Sequence, residues 1–157
     1  MKGEELIRIE GNIHGEDPRT TRLIITAKNV KNADDVLKNT KEIMKCISKY
    51  AYTSTWPSDE EWKNILPKWF VEGMILKKAK DRDKDKNLYH YDSWIANIKE
   101  RSWIWWSSKK QGNDLIFVLE TLDIPYLYGT FLYILYSQGI AMKDIIVEDE
   151  TGILERD

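Results

Sequence analysis

Residues 115–122 read LIFVLETL, apolar at successive rather than alternate positions. A run this short and this rich in β-formers predicts a strand buried on both faces, and such a strand has to lie inside a sheet. The neighbouring residues supply partners for it. Before it, across the turn-forming KKQGND at 109–114, Trp103, Ile104, Trp105 and Trp106 form a strand with period two. Trp103 and Trp105 share one face of that strand, and Ile104 and Trp106 the other.

Further strands are predicted towards both ends of the chain. In residues 5–13, Ile7, Ile9 and Ile13 alternate with Arg8, Glu10 and Asn12, a half-buried strand pattern. The turn-rich HGEDPRT leads from there into TRLIITA at 21–27, so the two runs are expected to pair as an antiparallel hairpin. Asp144–Val147 adds a last strand.

Between these strands the period changes to that of helices. Asn32 opens a helix carrying Val36, Leu37, Thr40, Ile43, Met44, Ile47 and Tyr50 on one face, with lysines on the other. Ser58 followed by Glu61 is a capping-box pattern that starts a second helix, and Pro67 should kink or divide it. Asp92 is placed to cap a third, bearing Trp94, Ile95 and Ile98. The uncharged stretch Ile124–Met142 is long enough to be tested as a membrane span. Pro125 as a first-turn residue and Gly139 as a stop leave about 14 residues, or about 21 Å, of helix. That falls short of a hydrocarbon layer about 30 Å thick, so a buried core helix is expected.

The predicted fold is therefore α+β, with a single mainly antiparallel sheet of about five strands packed against about four helices. The expected order is β-β-α-α-α-β-β-α-β. One globular domain over 1–157 is expected, with a solvated loop near 77–87, where nine of eleven residues are charged.

Lysine and arginine total 24 against 26 acids, a net charge of −2. This balance disfavours a nucleic-acid surface, which would show a basic excess. Cys46 is the only cysteine, which precludes an intramolecular disulfide or a cysteine metal cluster. The opening MKGEELIRIEG places charges among its apolar residues, unlike a secretory leader, and a cytoplasmic location is expected.

No glycine-rich phosphate loop, HExxH motif, calcium loop or G-x-S-x-G elbow occurs, and no cofactor or metal is expected. Of the two histidines, His14 and His90, each reads most simply as a loop residue. The best catalytic arrangement joins His90 to Asp92 beside Tyr89 and Tyr91, since a carboxylate could orient an imidazole acting as a general base. Asp92 already has a structural use as a helix cap.

The unusual feature is aromatic, for all seven tryptophans lie between Trp56 and Trp106. Trp62, Trp69 and Trp94 fit helical apolar stripes and read as core. Trp56, ahead of Pro57 in a polar loop, and Trp103, Trp105 and Trp106 are the candidates for a protein-binding surface. Glu148, Asp149 and Glu150 join them, because the segment Lys143–Asp157 carries six acids against two bases. The leading expectation is a non-catalytic protein-binding protein, of the kind represented by bacterial immunity proteins and antitoxins that block a basic toxic enzyme. The alternative is a small-ligand-binding protein or enzyme with an aromatic pocket near His90 and Asp92. A homodimer formed through a tryptophan-bearing strand edge is a third arrangement, and no membrane partner is expected.

Overall fold

A computed structural model describes residues 4–11, 21–76, 84–121 and 127–154. His14, Pro125 and most of the charged segment predicted as a loop lie outside them. The fold is α+β, built on one five-stranded antiparallel sheet in the order β2-β3-β1-β4-β5. In chain order the elements are α1 (Glu4–Gly11), β1 (Thr21–Ala27), α2 (Ala33–Ala51), α3 (Asp59–Ile65) and α4 (Lys68–Ile75). There follow α5 (Tyr91–Lys99), β2 (Trp103–Gln111), β3 (Asp114–Thr121), α6 (Gly129–Tyr136), a 3-10 turn at Met142–Asp144, β4 (Ile145–Asp149) and β5 (Gly152–Ile153).

The sheet's interior is as the apolar run foretold. β3 lies between β2 and β1, buried at Leu115, Phe117 and Leu119 and half-buried at the alternate positions. Gly112, at φ 64°, supplies the left-handed backbone that the tight β2–β3 turn needs. Trp106 falls in a register break on β2: Trp105 pairs with Leu119 and Ser107 with Val118, leaving Trp106 as the bulged residue.

The first predicted strand is instead the helix α1, and the predicted N-terminal hairpin does not form. β1 pairs with β3 and β4. Glu4 and Glu5 in the first turn and Arg8 in the last suit the helix dipole. The inward stripe is Glu5, Arg8 and Ile9, spaced three and four apart, whereas Ile7 is exposed. A stripe with two charged members is invisible to a hydrophobic pattern, and the alternation of isoleucines beside it is fortuitous.

The remaining helices follow their local chemistry. In α2, Val36, Thr40, Ile43, Met44 and Ile47 are buried. Asn32 caps it with a left-handed backbone (φ 55°) and no side-chain hydrogen bond. The Ser58 hydroxyl accepts from Glu61 N–H while the Glu61 carboxylate accepts from Ser58 N–H, both at 3.2 Å. Pro67 divides the expected second helix into α3 and α4, and its carbonyl receives the N–H groups of Phe70 and Val71. Past α6, Gly139 turns left-handed at φ 93°, letting Gly139 and Ile140 N–H return to the carbonyls of Tyr136 and Leu135. Among the described residues no helix is long and apolar enough to cross a membrane.

Aromatic rings carry much of the core. Phe70 packs edge-on against Trp94 at 4.8 Å, and Phe131 against Trp103 and Phe117 at 5.3 and 5.2 Å. Thr130 serves two indoles: its carbonyl accepts from Trp94 Nε1 at 3.1 Å and its hydroxyl from Trp103 Nε1 at 2.9 Å. One threonine thereby ties α5, β2 and α6 together.

Candidate functional site

Of the predicted interface tryptophans, Trp103 and Trp105 are buried, so neither offers its ring to a partner. Trp56 is half-buried against Trp62, with ring centroids 5.1 Å apart. Trp106 is half-exposed on the face of β2 opposite Trp105, as the alternation predicts, and it sits at the bulge. Trp69, expected in the core, is 41% exposed on α4. Its neighbour Phe70 takes the inward position instead.

Tyr89, His90, Tyr91 and Asp92 stand in different surroundings: Tyr91 is buried, Tyr89 half-buried, and His90 and Asp92 exposed. His90, rather than Asp92, caps α5: its Nδ1 accepts from Asp92 N–H at 3.2 Å. The carboxylate of Asp92 stands 3.8 Å from the same nitrogen, and the two side chains are 44% and 69% exposed. Tyr91 is buried and donates its hydroxyl to the Asp59 carbonyl at 2.6 Å. Burial, reinforced by the charges of Asp59, Glu60 and Asp92, pushes that phenol far above its ordinary value. Tyr89 packs against Tyr133, and burial raises its phenol as well. Cys46 donates weakly to the Ile65 carbonyl, and its thiol is pushed up by burial and then by Glu42, the opposite of an activated nucleophile. Among the described residues no three histidine, cysteine or carboxylate groups converge as metal ligands would.

Two surface features stand out instead. The first is the sheet face opposite the buried side chains. Cross-strand pairing puts Ile24 beside Val118, and Thr26 beside Ile116 and Ile146. Ile24, Ile116, Val118 and Ile146 are all half-exposed. Charges border this apolar strip. Arg22 stands opposite Glu120, and Glu148 lies between Ile24 and the exposed Ile153. The predicted acids sit at the β4–β5 turn. Asp149 accepts from the Thr151 N–H and hydroxyl, and Glu150 accepts from Arg22 N–H at 3.2 Å.

The second is a cavity of about 400 Å³ between α1 and the outer edge of β2. Its floor is Glu5, whose side chain is almost wholly buried. Glu5 Oε2 accepts from Arg101 Nη2 and from Trp105 N–H, the latter at 2.8 Å. Tyr52 reaches Oε1 at 3.5 Å. Burial and then the Glu5 charge raise the Tyr52 phenol, while Arg101 opposes them. Arg101 itself is held at φ 49°, a left-handed conformation that costs a non-glycine residue about 1–2 kcal/mol. Arg8 lays its guanidinium 3.5 Å from the centre of the Trp106 ring and pairs with Glu4. Ile104 and Glu120 complete the rim, and they also belong to the open sheet face.

Sequence reasoning places none of Glu5, Arg8, Tyr52 and Arg101 in a candidate site. The legible signal was the pair Glu4–Glu5 followed by Arg8, which suits a helix better than a strand. No family model, curated protein or solved structure matches this chain.

Proposed function

We propose that this chain is a non-catalytic protein-binding protein whose open sheet face docks a basic partner, as an immunity protein or antitoxin docks a toxic enzyme in the cytoplasm. The observation that carries the reading is the strip of Ile24, Ile116, Val118 and Ile146, half-exposed and bordered by charge. An antiparallel sheet with one solvated face ordinarily alternates apolar-in and polar-out. A face apolar on both sides and rimmed by polar groups marks an interaction surface. Glu120, Glu148 and Glu150 stand at its border together with Arg22 and Lys109, and these carboxylates are the groups a positively charged partner would meet. His90 exposed at a helix cap offers no comparable support for the enzyme reading.

The test compares tagged wild type with Ile24→Lys and Glu148→Lys variants. Native mass spectrometry after capture from source-cell lysate reads stoichiometry and partner identity. The reading requires a basic partner, bound one-to-one, lost with Ile24→Lys and weakened by Glu148→Lys and by added salt. A partner retained equally by all three proteins, or none at stoichiometric level, overturns it.

A further inference from the structure

We propose that a second cavity, between α4 and α6, is a binding site for a small, uncharged aromatic molecule carrying one hydroxyl or carbonyl oxygen, with the Tyr133 hydroxyl as its hydrogen-bond partner. None of the described residues that line it belongs to the sheet, so it stands apart from the docking face proposed above.

The cavity has a volume of about 570 Å³, within the range of small-molecule sites. Among the described residues its walls are mostly rings. Trp69 and Phe70 come from α4, Tyr133 and Tyr136 from α6, and Leu88 and Ile140 add aliphatic surface. Phe70 and Tyr133 already pack on each other, with centroids 5.7 Å apart, so this wall is in place before a ligand arrives. Trp69 lines the cavity with an indole left partly exposed, and a ligand beside it would remove apolar surface from water.

Gly73 keeps the space open. It stands inside α4, where the lack of a side chain weakens a helix, and its backbone is not left-handed. A Cβ built there meets nothing within 4 Å among the described residues, so no close approach requires the glycine either.

One polar group in the wall is uncommitted. Tyr136 donates to Asp85, and Ser137 donates to the Ile134 carbonyl at 2.8 Å. The Tyr133 side chain is only 2% exposed, yet no described residue pairs with its hydroxyl. Burial pushes this phenol up to about 12, so it stays protonated and keeps a hydrogen to donate. A buried hydroxyl without a partner is unfavourable, and a ligand oxygen within reach relieves it. The same group limits the ligand's charge. An ion would exchange its water for one neutral hydroxyl, a net loss, whereas an uncharged ring with a single oxygen matches both the walls and the open donor.

The experiment titrates the full chain with p-cresol into the millimolar range and follows it by two-dimensional amide and indole NMR. Saturable shifts of the Trp69 indole and the Gly73 amide are expected. Tyr133→Phe should weaken p-cresol about fivefold without lowering the melting temperature, since the hydroxyl it removes makes no bond within the described fold. Gly73→Leu should fill the space, abolish the shifts, and keep or raise the melting temperature. The site is overturned by the lack of a saturable response, or by shifts spread over exposed apolar side chains generally. Binding unchanged by Tyr133→Phe or by Gly73→Leu overturns it equally, as does a melting temperature lowered by Tyr133→Phe. None of these readouts involves a partner protein, so they leave the docking face untouched.

Discussion

The guanidinium of Arg8 stacks on the ring of Trp106, 3.5 Å from its centre, and joins the first helix of the fold to the bulge of β2. Trp106 lies outside the main aromatic core, so Trp106→Ala should cost about 1 kcal/mol, within the cation–π range. Trp62, wholly buried, should cost about 3–5 kcal/mol when changed to alanine. Urea unfolding of the two variants checks the contrast, and similar losses would place Trp106 in the core.

Glu5 and Arg101 form the most buried ion pair in the described residues whose two ends come from distant segments. Glu5→Leu should lower stability by about 3–5 kcal/mol, because Arg101 and the Trp105 N–H lose their acceptor. Adding Arg101→Leu should recover a large part of that loss. A double-mutant cycle by chemical denaturation measures the coupling, and purely additive losses would contradict it.

Thr130→Val keeps the size of the side chain and removes the acceptor of Trp103 Nε1. The carbonyl that receives Trp94 Nε1 remains. The expected loss is about 1–3 kcal/mol, the cost of one buried unsatisfied donor. Tryptophan fluorescence during thermal unfolding reads both the stability and the change in indole environment.

Gly129 begins α6 where a Cβ would stand 2.7 Å from the Tyr89 hydroxyl oxygen. Alanine there gains about 0.5–1 kcal/mol of helix preference but meets that oxygen. Gly129→Ala should therefore be more favourable in a Tyr89→Phe background than in wild type. Melting temperatures of the four proteins test the interaction.

Asp114 accepts from Asn29 N–H and from Lys28, and these hydrogen bonds hold its carboxyl below the ordinary value. Its folded pKa thus lies beneath its unfolded one, near 3.9. The stability it contributes is present above the unfolded value and lost as pH falls through the folded one. Asp114→Asn should flatten the decline in stability below about pH 4 and leave its pH dependence above about pH 6 unchanged. Urea midpoints measured across that range decide it.

The parts of the fold legible in sequence were those set by local chemistry. The reciprocal Ser58–Glu61 cap, the division at Pro67, the α2 stripe and the interior position of β3 each depend on residues close in sequence. The candidate site was not legible, because it depends on distance. Glu5 meets Arg101 and Trp105 across nearly a hundred residues, and nothing near Glu5 announces a buried carboxylate. Trp103 and Trp105 are surface candidates in the sequence because a strand with indoles on both faces gives no sign of which face the core covers. The structure buries both on one face and leaves Trp106 half-exposed on the other, in step with the alternation.

The bulge of β2 changes what the edge of the sheet offers to another strand. β2 is a border strand of the sheet, long and rich in β-formers, the sort of edge that templates fibrils. Here the Trp105 N–H is already engaged by the Glu5 carboxylate, and one residue later the ladder loses its straight spacing. An incoming strand meets a filled donor and a mismatched repeat. α1 therefore acts as a guard against edge-to-edge growth, and a variant that loosens it should show its fault first as aggregation.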